Sequence, residues 1–287
     1  RFDNNPLFTE CLFSTRKDTD LFSNSKTKST ITSFKPDVII NAAAKVGGIY
    51  ANNTQKSSFL IENLKINLNI LESIMNLNQV KLINLGSSCI YPLNAQNPIS
   101  EDAVMTGPLE PTNSAYAMAK LTALELGSAL RDEYGYKIVN LMPTNLYGPN
   151  DNFSEELSHV IPGLIRRMHD AKLNSDDNFN IWGSGKPLRE FLFVDDLSDA
   201  IEFIINNEIE EELINIGSGD EISILDLANK IKNVIQFEGV LKFDSSKPDG
   251  NPRKLLNSNL ILNKGWKPKI NLDEGLNLTY NWFKNFN

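Results

Sequence analysis

Lys81-Leu82-Ile83-Asn84-Leu85-Gly86-Ser87-Ser88-Cys89-Ile90-Tyr91-Pro92 decides how this chain folds. Residues 81–85 form a short, mostly apolar run, as expected of a strand buried on both faces. Gly86 ends the run, and two hydroxyls and a thiol follow at once. A strand of this kind belongs in a parallel sheet, where ligands bind beyond the carboxyl ends of the strands. Ser87 and Cys89 therefore stand where chemistry is expected. Further on, Tyr116-Ala117-Met118-Ala119-Lys120 sets a phenol and an ammonium four residues apart. On a helix that spacing puts both on one face. A cation beside a phenol favours phenolate and lowers its pKa from about 10, so Tyr116 is expected to exchange protons near neutrality. With Ser87, the pair suggests carbonyl reduction. Cys89 suggests a second chemistry in the same pocket.

Strands and helices alternate outward from this stretch. Cys11-Leu12-Phe13-Ser14, Val38-Ile39-Ile40-Asn41, 137–142 and Leu213-Ile214-Asn215-Ile216 read as further strands. Residues 57–75 carry Leu60, Ile61, Leu64, Leu68, Leu71 and Ile74 at helical spacing. Helices are also expected over 115–134, with Asn113 or Ser114 as cap, over 159–169 and over 196–206. The alternation predicts an α/β fold with a doubly wound parallel sheet. From Asp220 the character changes. An amphipathic helix over 224–235, a loop over 247–254 rich in Pro and charge, and a last helix ending near Phe286 predict a smaller α/β domain. The expected division gives residues 1–153 and about 190–217 to the larger unit, and about 154–189 and 218–287 to the smaller. The polar stretch 23–33 reads as a surface loop or cap. His169 has no motif around it and is expected to be exposed.

Composition excludes several classes. A net charge of −8 disfavours a nucleic-acid partner. Two cysteines, Cys11 and Cys89, and two histidines supply neither a disulfide framework nor a metal cluster. No apolar run approaches the ~20 residues of a membrane span, and no signal peptide is recognised. A cytoplasmic location is the expectation.

Several segments together carry a family resemblance. They are Ala43-Ala44-Lys45-Val46-Gly47-Gly48-Ile49, 86–92, Leu109-Glu110-Pro111-Thr112-Asn113 and 142–149. Ser158-His159-Val160-Ile161-Pro162, Trp182-Gly183-Ser184-Gly185, Arg189-Glu190-Phe191-Leu192 and 247–256 add to them. From about Leu12 to Phe283 the chain resembles the extended short-chain dehydrogenase/reductases, and within them the GDP-L-fucose synthase family. The resemblance implies 3,5-epimerisation and NADPH-dependent 4-reduction of a GDP-linked 4-keto-6-deoxy sugar, by a homodimer. It makes Ser87, Tyr116 and Lys120 the reductase set, and Cys89 and His159 the base and acid of epimerisation. Arg16, Leu85, Gly86, Ser87, Ser88, Tyr116, Lys120, Pro143, Thr144, Asn145, Leu146 and His159 would meet NADP. Arg167, Trp182, Arg189, Asp249 and Lys254 would meet the substrate, whose two phosphates suit Arg forks; Arg166 reads as structural.

Arg16 bears on the cofactor. An acidic residue after the second strand of such folds holds an NAD ribose, whereas an Arg accepts the 2′-phosphate of NADP. Phe13-Ser14-Thr15-Arg16-Lys17 offers two cations, with Asp18 and Asp20 close behind. The family's first strand and Gly-rich phosphate turn would precede Cys11 by some twenty residues, and residues 1–10 do not contain them. The expectation is an N-terminally incomplete form whose 287 residues alone bind NADPH poorly. Two alternatives are another nucleotide-sugar epimerase or dehydratase of the superfamily, and a degenerate, non-catalytic member.

Overall fold

The computed structural model describes the chain except residues 1, 3, 4, 7, 76, 78, 79, 155, 156, 245, 247, 248 and 287. The first element is a helix, α1 (Asn24–Phe34), in the stretch expected to be a loop. Ser23 caps it by accepting from Lys26 N, and Lys35 closes it in the left-handed region at φ 52°. Its buried residue, Thr27, donates through Oγ1 to the Ser23 carbonyl at 2.9 Å, and at the surface Asn24 Nδ2 donates to Glu72 at 2.6 Å. Hydrophobic periodicity could not reveal it. The strand expected at Cys11–Ser14 does not form. Local bonds hold a turn there instead, with Ser14 donating to Thr19 and Thr15 N and Oγ1 donating to Asp18.

Next come β1 (Val38–Asn41), α2 (Ile49–Thr54), α3 (Lys56–Ile74), β2 (Lys81–Leu85), α4 (Ser114–Tyr134), β3 (Lys137–Pro143) and β4 (Asn145–Tyr147). They are followed by α5 (Val160–Leu173), β5 (Asn178–Trp182), β6 (Leu188–Phe193), α6 (Val194–Asn206), β7 (Leu213–Ile216) and β8 (Glu221–Ser223). The chain ends with α7 (Ile224–Ile235), β9 (Val240–Asp244), β10 (Arg253–Lys254), α8 (Asn259–Asn263) and α9 (Leu272–Phe286). β10 lies within the stretch read as a loop; Lys247 and Pro248 of that stretch are outside the described residues.

β1, β2, β3 and β7 form a four-stranded sheet in that order, parallel throughout. Alternate residues feed opposite faces. Leu82 and Ile138 pack with Ile66, Ile70, Ile74, Ala123 and Leu130 of α3 and α4. Ile83, Val139, Leu141 and Ile214 pack with Leu197, Ile201 and Ile204 of α6 and with Trp266. The sheet is thus wound on both sides, as the apolar runs predicted.

Amides set its register. Asn41, Asn84 and Asn140 lie opposite one another in the ladder. Their side chains bond in series, Asn41 Nδ2 to Asn84 Oδ1 at 2.8 Å and Asn84 Nδ2 to Asn140 Oδ1 at 3.1 Å. A slip of one residue would turn these buried amides toward hydrocarbon, which is costly. The fixed register brings Gly86-Ser87 and Pro143-Thr144 out at neighbouring strand ends.

A second core joins Ile161, Ile165, Met168, Phe179, Ile181, Leu227, Ile231, Leu276 and Phe283 from α5, β5, α7 and α9 with Phe153 of the loop before α5 and Tyr147, Phe191 and Phe193 of β4 and β6. β5 pairs with β9, while β6 lies between β4 and β10 and also pairs with β8. His169 is half-buried there rather than exposed, bonded to the Tyr280 hydroxyl at 3.0 Å and edge-on to Phe283.

Candidate active site

The site forms just beyond β2. Ser87 caps a single 3₁₀ turn, Ser88–Ile90, with its Oγ accepting from Cys89 N at 3.2 Å. That turn points Ser87 and Cys89 away from the strand. α4 runs alongside and buries Tyr116 and Lys120 to 9% and 3% exposure. Phe59 of α3 meets the Tyr116 ring edge-on at 6.2 Å, and Cys89 packs against the same cluster. Ser87 is in hydrogen-bonding contact with the Tyr116 hydroxyl.

The electrostatics differ from the expected phenolate. Burial pushes the Tyr116 phenol above its ordinary value; negative charge at Cys89 adds to this, and the Ser87 hydrogen bond opposes it. Burial also lowers Lys120 to about 8. Lys120 Nζ donates to the Leu85 carbonyl at 2.6 Å and lies 5.9 Å from the centroid of the Tyr116 ring. Desolvation disfavours both charged forms, so it outweighs the attraction that the sequence suggested. Tyr116 is held as a protonated donor.

The Lys120 value sets a stability prediction. Its folded pKa lies below the ordinary lysine value, so the unfolded chain binds more protons between about 8 and 10.4. The burial cost is present in full below pH 8 and fades as pH rises through that window. After allowing for the lost Leu85 bond, Lys120→Met is expected to stabilise the cofactor-free protein at pH 7 by about 2 kcal/mol. That corresponds to a few degrees in Tm. Thermal melts from pH 7 to 10.5 check it: the gain should vanish towards the upper end, and a variant less stable than wild type at pH 7 contradicts it.

Cys89 has two donors. Asn113 Nδ2 lies 3.5 Å and Lys254 Nζ 3.7 Å from its sulfur. Lys254 reaches it from β10, where it pairs in register with Arg189 of β6. Arg189 donates to the Leu188 carbonyl at 2.8 Å, and its burial lowers its pKa. Asp249 accepts from Ser184 N at 2.6 Å and Ser184 Oγ at 2.8 Å, bracing the Gly183-Ser184-Gly185 turn. A side chain at Gly183, where φ is +80°, would strike that carboxylate.

Arg167 and Trp182 sit on α5 and β5, with the guanidinium 4.4 Å from the Trp182 ring centroid. His159 directly precedes α5, exposed. Among the described residues no hydrogen bond joins its side chain to Cys89. Gly48 helps fix its place: Gly48 N donates to the Leu157 carbonyl at 3.3 Å, and a Cβ there would meet the Ser158 carbonyl at 2.7 Å. Arg166 pairs with Asp170 at 2.7 Å.

Thr144 and Asn145 continue from β3 into β4. Thr144 N donates to the Ile216 carbonyl, and both side chains donate to the Glu190 carbonyl. Pro143, Leu146, Leu85, Gly86 and Ser88 lie on the same strand ends and the turn after β2. Arg16 lies apart on an exposed turn, its guanidinium 4.8 Å from the Phe22 ring centroid. Asp18 and Asp20 accept from Thr15 and Phe22 within that turn.

Sequence reasoning missed two residues. Glu190, fully buried, accepts from Gly219 N at 2.8 Å and Leu256 N at 3.1 Å, tying β6 to the segment that carries Lys254. A charged residue inside Arg189-Glu190-Phe191-Leu192 was its only signal. Asn113, read as a helix cap, makes no side-chain cap bond.

An all-parallel sheet wound on both faces, with Ser, Tyr and Lys at one strand end, defines a reductase or epimerase of the dinucleotide-dependent type. Residues 5–217 match the NAD dependent epimerase/dehydratase family, and the chain belongs to it. It is 48% identical to GDP-L-fucose synthase 1 of Arabidopsis thaliana, across 96% of this chain and 85% of that protein. It is 47% identical to the GDP-L-fucose synthase of Sinorhizobium fredii, across 96% and 87%. The crystal structure of a GDP-L-fucose synthetase from Naegleria fowleri bound to NADP superimposes with a TM-score of 0.85 at 31% identity, covering 96% of this chain and 85% of that one.

Proposed function

We propose that the protein converts GDP-4-keto-6-deoxy-D-mannose to GDP-L-fucose, epimerising C3 and C5 and then reducing C4 with NADPH. The observation that carries the reading is Cys89, with the Lys254 ammonium against its sulfur, beside Ser87, Tyr116 and Lys120 at the end of β2. A base for carbon acids and a proton donor for a carbonyl oxygen thus stand together. The synthases among the relatives support the same reading.

A C4 ketone makes the hydrogens on C3 and C5 acidic, because the resulting carbanion is an enolate. Cys89 is the base in this reading, and His159 returns a proton on the opposite face. Ser87 polarises the C4 oxygen and Tyr116 protonates it; a phenol of high pKa is still a competent donor to an alkoxide. NADPH, when bound, supplies the hydride.

The residues present fit two parts of NADPH, its ribose hydroxyls and its 2′-phosphate. Lys120 is a buried ammonium bonded to a single backbone carbonyl, and its remaining N–H groups suit ribose hydroxyls. Arg16 and Lys17 are exposed, with neighbouring carboxylates turned into their own loop, which suits a 2′-phosphate. Leu85, Gly86, Ser88 and 143–146 are assigned to the same cofactor. Arg167, Trp182, Arg189, Asp249 and Lys254 are assigned to the GDP-sugar, Asp249 through the turn it braces. The division into a cofactor unit and a smaller substrate unit is part of the proposal; the core built by α5, β5, α7 and α9 supports it, while Trp266 of the smaller unit packs on the sheet and ties the two together. The test is formation of GDP-L-fucose with NADPH oxidation; neither product appearing rejects the reading.

A homodimer is part of the proposal. Ile61, Leu68 and Met75 repeat every seven residues along and just past α3, each at least 36% exposed, and Met118 of the adjoining α4 is 48% exposed. Such a stripe suits pairing of two copies through these helices. Sedimentation should give twice 32.2 kDa for this chain. Ile61→Asp with Leu68→Glu should shift it to one copy; a wild-type monomer contradicts the assignment. Two free thiols, Cys11 and Cys89, support a reducing cytoplasm as the location. Among the described residues no helix is long and apolar enough to cross a membrane.

A further inference from the structure

Asn113 stands where α4 begins, and Asn is among the best residues for capping a helix. Its side chain makes no cap bond and donates instead to Cys89 Sγ at 3.5 Å. Its Oδ1 is buried without a partner. Both choices cost stability, and a buried unpaired acceptor in a native fold calls for a reason. A loose loop is not that reason. The Glu110 carboxylate accepts from Thr112 N and Asn113 N, each at 3.1 Å, and from the Thr112 hydroxyl at 2.5 Å. This turn presents the Asn113 amide to the sulfur, while Lys254 approaches the same atom from β10 at 3.7 Å. A thiol is a weak acceptor, and hydrogen bonds to an ionised acceptor are the stronger ones. Two donors on one sulfur suit it best when it carries negative charge.

We propose that Asn113 is a positioning residue for the Cys89 base: with Lys254 it aims the sulfur and stabilises its thiolate. The inference rests on the epimerase reading given above. In the step it serves, the thiolate takes the proton from C3 or C5, the C–H electron pair passes into the enolate at C4, and a proton returns to carbon from the other face.

The test begins without any sugar. In a Cys11→Ser background, Cys89 alkylation by iodoacetamide is followed at pH 7.5 by mass spectrometry. Asn113→Asp, which keeps the shape but loses the donor, is compared with Asn113→Ala and Lys254→Met, their folds checked by circular dichroism. Each is expected to slow alkylation about ten-fold, the scale set by one hydrogen bond to a charged group. With the GDP-sugar, both Asn113 variants should slow deuterium exchange at C3 and C5 by a similar factor. Hydride transfer from GDP-L-fucose to NADP should stay within about three-fold of wild type. Unchanged alkylation in both Asn113 variants overturns the inference, as does equal damage to exchange and hydride transfer. Slowed alkylation in a protein that turns over no GDP-sugar upholds the thiolate cradle and counts against the proposed function instead.

Discussion

Tyr116→Phe lowers the rate of C4 reduction by about 10²–10⁴-fold, the range a positioned proton donor contributes, and leaves the fold intact. The ring keeps its place against Phe59, and only the hydroxyl shared with Ser87 is lost. Burial holds this phenol above its ordinary pKa, so the wild-type donor stays protonated through neutral and mildly basic pH. The pH profile of reduction should therefore lack an alkaline limb from Tyr116 in that range; the limb that does appear should track Lys120 near 8. Loss of its charge above that value weakens the site. Stopped-flow NADPH oxidation with the variant and wild type measures both effects. A Phe variant within ten-fold of wild type would remove Tyr116 from the chemistry.

Cys89→Ser produces the second large effect, on the other half of the reaction. A hydroxyl is a far weaker base than a thiolate, and loss of a general base costs about 10²–10⁴-fold. Wash-in of deuterium at C3 and C5 should slow by that order. Hydride transfer from GDP-L-fucose to NADP needs no carbon acid and should remain close to wild type. The split separates Cys89 from Ser87 even though the two share one 3₁₀ turn and are joined by the Cys89 N–H bond to Ser87 Oγ. Exchange at the wild-type rate in the variant excludes Cys89 as the base.

Much of this was legible in the chain. Lys81–Leu85 and Val38–Asn41 formed over the residues their short apolar runs marked, the first buried in the middle of the sheet and the second partly buried at its edge. The helix carrying Tyr116 and Lys120, expected over 115–134, formed over Ser114–Tyr134. α1 was hidden because its buried residue is Thr27 and its cap is Ser23, neither of which carries a hydrophobic signal. The Tyr116 and Lys120 electrostatics were misjudged because a sequence shows which charges are neighbours but not how far water is excluded from them. Asn113 does stand at the N-cap position, but its side-chain partner was hidden for a related reason: capping depends on local spacing, whereas its bond to Cys89 spans twenty-four residues. Lys254 and Glu190 matter through β6 and β10, whose pairing is not visible in local pattern.

The most direct measurement supplies GDP-4-keto-6-deoxy-D-mannose and NADPH to the protein. It follows cofactor oxidation while the sugar is identified by NMR. The account predicts one NADPH consumed per GDP-L-fucose formed, with solvent deuterium at both C3 and C5. A reduced product that keeps the original C3 and C5 configurations, or no reduction at all, would contradict it.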